Sequence, residues 1–169
     1  MFVVADADNK VFEGQNKGNN ALLSSSPMSL VHPDLFVKQI VLPGGLQSGK
    51  NVNVQWTVEN RGGGATPVSS WLDKVFLSRD TVIDASDVLL GQTSHTGKLN
   101  AGVSTTQQLS VLLPNGTEGA YYFLVQTDAN DVVRETSDEG NNVGSQSGPL
   151  RLCLPSTVQR GPRSRYSNY

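Results

Sequence analysis

Residues 51–60, NVNVQWTVEN, set Val52, Val54, Trp56 and Val58 on one side of an extended chain and Asn53, Gln55, Thr57 and Glu59 on the other. A period of two is the pleat of a β-strand with one buried and one wet face. Such a strand cannot stand alone, because its apolar row needs a second layer to cover it. The rest of the chain supplies candidates for that layer. Leu109, Val111 and Leu113 share a face in STTQQLSVLLP, and Tyr121, Phe123 and Val125 do so in AYYFLVQTD. SWLDKVFLS alternates less cleanly, with Trp71, Val75 and Leu77 inward. DLFVKQIVL changes phase part-way, which predicts a bulge. Turn signals, LPGGLQSGK, NRGGGATP, LNAG, LPNGTEG and TDAND, separate these runs. No stretch holds a helical period over three turns, so the expectation is an all-β, antiparallel, immunoglobulin-like sandwich of about seven strands.

The chain also repeats itself. DADNKVFEGQNKGNN begins at Asp6 and DANDVVRETSDEGNN at Asp128, and both keep Asp-Ala, Val, Glu and Gly-Asn-Asn at the same distances. The register continues, since PMSLVHP from Pro27 falls on PLRLCLP from Pro149 at the same offset of about 122 residues. A period this long is that of a whole domain in tandem. Residues 1–32 therefore read as the C-terminal hairpin of a preceding repeat, 33–154 as a complete repeat, and 155–169 as a disordered tail. A two-stranded hairpin alone is marginal in water. Residues 1–32 are thus expected to be poorly ordered, or to lean on an exposed edge of the complete domain or of a neighbouring chain. The joint SLVHPDL is held extended by Pro33.

PDLFVKQIVLPGGLQSGKNVNVQWTVENRGGGAT, WLDKVFLSRDTVIDASDVLLG and GAYYFLVQTDANDVVRETSDEGNNV together resemble the cell-adhesion-related domain found in bacteria (CARDB). The resemblance runs from Pro33 to about Leu152, and residues 1–32 resemble the family's last hairpin. It implies a non-catalytic immunoglobulin-like bead, usually found in tandem in large secreted or cell-surface proteins. It names no ligand. The partners it implies are neighbouring repeats and an extracellular protein or polysaccharide.

Three polar or aromatic groupings are candidate sites. Asp80, Asp84 and Asp87 crowd LSRDTVIDASDVLLG. Hard cations such as calcium take six to eight oxygens, so three carboxylates plus carbonyls make calcium the one cofactor to consider. The spacing is not that of the helix-flanked calcium loop, and aspartates also begin turns by bonding their own backbone. The second grouping is Asp128, Glu135, Asn141 and Asn142. Asp128 and Asn130 sit at a turn, while Glu135 and an asparagine are expected to satisfy backbone groups where the last strand breaks and resumes. A cation site between beads is the alternative. The third is Trp71 with Tyr122. Core burial is the plainer reading of Trp71, but a shared solvent face would make an aromatic contact surface for carbohydrate.

Other signals are thinner. His32 and His95 are far apart, and no nucleophile elbow, zinc-protease helix or phosphate loop is present in the sequence. Tyr121 stands where immunoglobulin-like folds often bond the backbone through a tyrosine. Cys153, the single cysteine, lies in the apolar run LRLCLP and is expected to be inert; it allows no disulfide within the chain. Asn115 in NGT fits a glycosylation pattern but is first a turn. With 13 basic and 15 acidic residues, nucleic acid is not an expected partner, despite the arginines and tyrosines of VQRGPRSRYSNY. No apolar run reaches membrane-spanning length and MFVVADADNK is not a signal peptide, so any export signal is expected outside this sequence. The function expected is an adhesion or spacer repeat. A carbohydrate-binding accessory domain beside a hydrolase and a calcium-dependent adhesion module are the alternatives.

Overall fold

The computed structural model describes residues 2–15, 17–27, 29–135 and 139–155. The expected tail, apart from Pro155, lies outside them. The chain divides into two compact units, Met1–Val31 and His32–Tyr169.

The first unit holds strands β1 (Phe2–Val4) and β2 (Ala21–Leu23), antiparallel, with Phe2 opposite Leu23. The second holds β3 (Leu35–Val41), β4 (Asn51–Asn60), β5 (Ser70–Ser78), β6 (Val88–Thr96), β7 (Ser104–Leu112), β8 (Gly119–Gln126), β9 (Val143–Ser145) and β10 (Leu150–Leu152). One sheet runs β3-β4-β7. The other runs β10-β8-β5-β6, with β9 also on β8, and every one of these strand pairs is antiparallel. β9 and β10 are two pieces of one interrupted last strand, which brings the second unit to the seven expected.

The alternation read from the sequence is the core. Val52, Val54, Trp56 and Val58 of β4 and Val111 of β7 form one core with Trp71, Val75, Leu77, Phe123 and Val125 of the other sheet, all nearly or fully buried. β3 carries its bulge between Val37 and Gln39, which is where its apolar phase changes. At the break between β9 and β10 the strand backbone is replaced by a side chain. Gln146 accepts from Phe123 N at 2.6 Å and donates to the Tyr121 and Gly148 carbonyls at 3.3 and 3.1 Å. This differs from the sequence expectation, which gave that repair to Glu135 and an asparagine. Gln146 sits in no repeated phrase, and two of its three partners, Phe123 and Tyr121, are more than twenty residues away.

The sequence repeat is a repeat of backbone geometry. Phe2↔Leu23, Val3↔Leu22 and Val4↔Ala21 correspond to Leu124↔Ser145, Val125↔Gly144 and Gln126↔Val143, an offset of 122 throughout. Asp6 and Asp128 adopt φ of 46° and 47°, and Asn9 and Asp131 φ of 55° and 52°. Asp and Asn tolerate this left-handed region because their short polar side chains bond locally. Asp6 accepts from Lys10 N and Val11 N, as Asp128 does from Val132 N and Val133 N. Ala5 N bonds Asn20 O, as Thr127 N bonds Asn142 O. Each copy passes through a 3₁₀ turn, Lys17–Asn19 and Glu139–Asn141.

Candidate functional site

A polar cluster of the second unit gathers where its closing hairpin meets its first strand. Glu135, 2 % exposed, accepts from Leu35 N through Oε1 at 2.9 Å. With its amide turned to satisfy both groups, the Asn142 nitrogen donates to Glu135 Oε2 at 3.3 Å and to the Leu35 carbonyl at 2.5 Å. Together they hold both backbone groups of Leu35, which begins β3. Asn141 donates to Asp34 Oδ1 at 2.8 Å, and Glu139 accepts from Glu135 N at 3.0 Å. Asp128 anchors the other end by taking Val132 N and Val133 N. All four residues of the predicted polar cluster are thus brought together. Their work is to bind the last hairpin to the first strand of the opposite sheet, not to mend the last strand.

The electrostatics are those of an acid taken out of water. Burial raises the Glu135 carboxyl to about 8 against the pull of the Leu35 N–H, with Glu139, Asp34 and Asp128 adding to the rise. Burial also raises Asp128, opposed by its two backbone donors.

A second buried cluster was not read as a site. Asp73, 0 % exposed, occupies an inward position on β5, which is why that strand alternates less cleanly. It accepts from Trp56 Nε1 at 2.9 Å, Thr127 Oγ1 at 2.8 Å and Gln107 Nε2 at 3.2 Å. Burial raises its pKa, with the Trp56 and Thr127 bonds pulling the other way. Trp71 Nε1 donates to Thr127 Oγ1, and Gln107 Nε2 reaches His95 Nδ1. The network spans both sheets. Asn60, also 0 % exposed, explains the VENRG strand end: its Oδ1 accepts from Asp34 N and Gly62 N, and its Nδ2 donates to the Gly64 and Leu99 carbonyls.

The aspartates of the β5–β6 loop are spent on turns. Asp80 Oδ1 accepts from Val82 N, Asp84 Oδ1 from Ser86 N and Oγ, and Asp87 Oδ2 from Asp84 N. The Ser86 bonds lower the Asp84 pKa. Among the described residues no group of three or more His, Cys, Asp or Glu side chains is gathered as a metal set.

The aromatic contact surface is corrected. Trp71 is 2 % exposed and stacks on His95 from the paired strand, ring centroids 3.8 Å apart and planes 14° apart. The His95 ring covers it, in keeping with the plainer, core reading. Tyr122 stays half-buried, on a polar groove shared with Lys38, Ile40, Thr81 and Gln146. Tyr121 lies under the Arg79 guanidinium, 3.8 Å from the ring centroid, instead of bonding upstream backbone among the described residues. Cys153 of the apolar run is exposed. Its N and O pair with Leu46 O and Ser48 N, which turns the thiol outward, while Leu152 takes the buried position. Asn115 and Gly116 form the expected turn, Gly116 at φ 72°.

Comparison with known proteins agrees with this architecture. The CARDB family model matches residues 32–146. A CARDB domain from Pyrococcus furiosus, crystallised in complex with di-metal ions, is 22% identical with a TM-score of 0.54, covering 76% of this chain and 100% of that one. A solution structure of a CARDB domain from the same organism is 23% identical with a TM-score of 0.50, over 72% and 95%. A β-glucosidase from Listeria innocua is 16% identical with a TM-score of 0.44 and is matched over 16% of its length, too weakly to bear on function. No curated protein matches the sequence.

Proposed function

Because this chain belongs to the CARDB family, whose domains are adhesion-related and non-catalytic, we propose that it is a spacer and adhesion bead of a larger secreted or cell-surface protein. The observation that carries the reading is the closing hairpin, built twice with one hydrogen-bond pattern at an offset of 122 residues, once inside a finished sandwich. A domain that buries its own core and is locked first strand to last can be strung in series without relying on its neighbours for stability. In this reading residues 1–32 belong to an adjoining repeat, and the partners are neighbouring repeats and an extracellular protein or polysaccharide.

Pulling the chain between its ends in an optical trap tests the mechanical role. One cooperative rupture of the second unit at a reproducible force is expected; gradual extension without a rupture would remove the spacer reading. The carbohydrate alternative rested on Trp71 sharing a surface with Tyr122, and Trp71 is inside. Binding to a polysaccharide panel that Tyr122→Ala abolishes would restore it. Metal dependence draws on the di-metal complex of the Pyrococcus furiosus domain. In this chain the aspartates of the β5–β6 loop already accept from their own loop backbone.

A further inference from the structure

The hairpin of the first unit has the geometry of a closing hairpin and none of the cover. Val11 is 57% exposed where Val133 is buried at 0%, and Phe2 is 64% exposed where Leu124 is buried at 0%. Asn20 Nδ2 donates to Glu13 Oε2 at 2.8 Å, the pairing that Asn142 and Glu135 use around Leu35. The clamp is formed. What it would clamp is shown by the second unit: the N–H and C=O of a first-strand residue placed as Leu35 is.

Of the positions at which the two copies differ, one bears directly on the partner. Leu22 stands where the second unit has Gly144. A Cβ on Gly144 would lie 2.7 Å from Cβ and Cγ1 of Val37 and 3.1 Å from its carbonyl oxygen. Val37, buried on β3, therefore rests directly on a glycine, and any side chain there meets it. An alanine at 37 would still present its Cβ at the same distance. A hairpin carrying Leu22 would have to displace a first strand carrying valine or alanine at that point, whereas beside glycine only the carbonyl contact at 3.1 Å has to ease.

We propose that residues 2–27 are the closing hairpin for a sandwich of this same kind whose first strand has glycine where this chain has Val37. The large and small residues of the pair are exchanged between the two repeats. Leu22 fills the space that Val37 fills here, at the bulge of the first strand, where glycine is readily accommodated. A consequence is that this hairpin does not replace β8 and β9 in a second copy of the chain, so the exchange of hairpins that would scramble a string of beads is blocked. The inference rests on the tandem reading of residues 1–32, and independently of any adhesive role.

The test is a tandem chain in which residues 33–123 are copied ahead of residue 2, so that residue 123 of the copy leads into the hairpin in register. Hydrogen exchange of the Phe2, Val3 and Val4 amides reads closure. With Val37 kept in the copy and Leu22 kept in the hairpin, exchange is expected as fast as in the present chain. With Val37→Gly in the copy, or with Leu22→Gly and Val37 kept, protection is expected to rise by roughly a hundredfold or more. Protection well above that of the present chain, and equal with and without the glycine, would overturn the selectivity while leaving the tandem reading intact. Absence of protection in all three chains would overturn both.

Discussion

Glutamine in place of Glu135 keeps the shape that meets Leu35 and removes the proton. The folded carboxyl titrates at about 8 against an ordinary 4.5. The folded chain therefore holds a proton that the unfolded chain releases, so the contribution to stability is full below pH 4.5 and is lost as pH rises through 8. At about 1.36 kcal/mol per pH unit, the loss between pH 5 and pH 9 is about 4 kcal/mol. For a domain of this size that corresponds to a fall in melting temperature on the order of 10 °C. Denaturant titrations of the parent and Glu135→Gln at each pH give the comparison. Burial also raises Asp73 and Asp128, and their contributions have the same sign in both chains, so the difference between chains reports Glu135 together with its coupling to Asp128. The parent is expected to lose its stability margin over the variant steadily from pH 5 to 9. Parallel curves, or a parent that gains on the variant as pH rises, would refute the reasoning.

Three further outcomes follow from the same contacts. Asn60→Ala removes four hydrogen bonds from a fully buried site and is expected to cost about 2–4 kcal/mol by urea unfolding, where a loss under about 0.5 kcal/mol would contradict the assignment. Asp73→Ala leaves the Trp56 Nε1–H and the Thr127 hydroxyl without their acceptor and takes one of two partners from Gln107 Nε2; it is expected to cost about 3 kcal/mol, with Asp73→Asn costing less because it keeps an acceptor. Calcium is expected to leave the melting temperature and the amide signals of residues 80–87 unchanged, since those carboxylates already serve their own turns; shifts that saturate with calcium would make the loop a metal site.

The sandwich was legible because its signal is local. Alternation in residues 51–60, turn residues between runs and one phase slip in β3 each show within a dozen residues, and each appears in the structure. The polar cluster was legible as a cluster through its repetition, but its target was not, because Leu35 is a hundred residues from Glu135. Asp73, Asn60 and Gln146 escaped for the same reason. Each looks like an ordinary polar residue until strands distant in sequence bring it donors. Core burial was the plainer reading of Trp71 and the structure has it, but the surface alternative stayed open because the cross-strand neighbour that covers it, His95, is fixed by the register of β5 on β6. The hairpin register that would have shown this depends on the bulge between Val75 and Phe76.

Hydrogen exchange on the unaltered chain tests most directly whether a closing hairpin is stable only where it grips a first strand. The amides of Leu124, Val125 and Gln126 are predicted to exchange only through global unfolding of the second unit, and their counterparts Phe2, Val3 and Val4 to exchange orders of magnitude faster. Equal protection of the two sets would contradict the account.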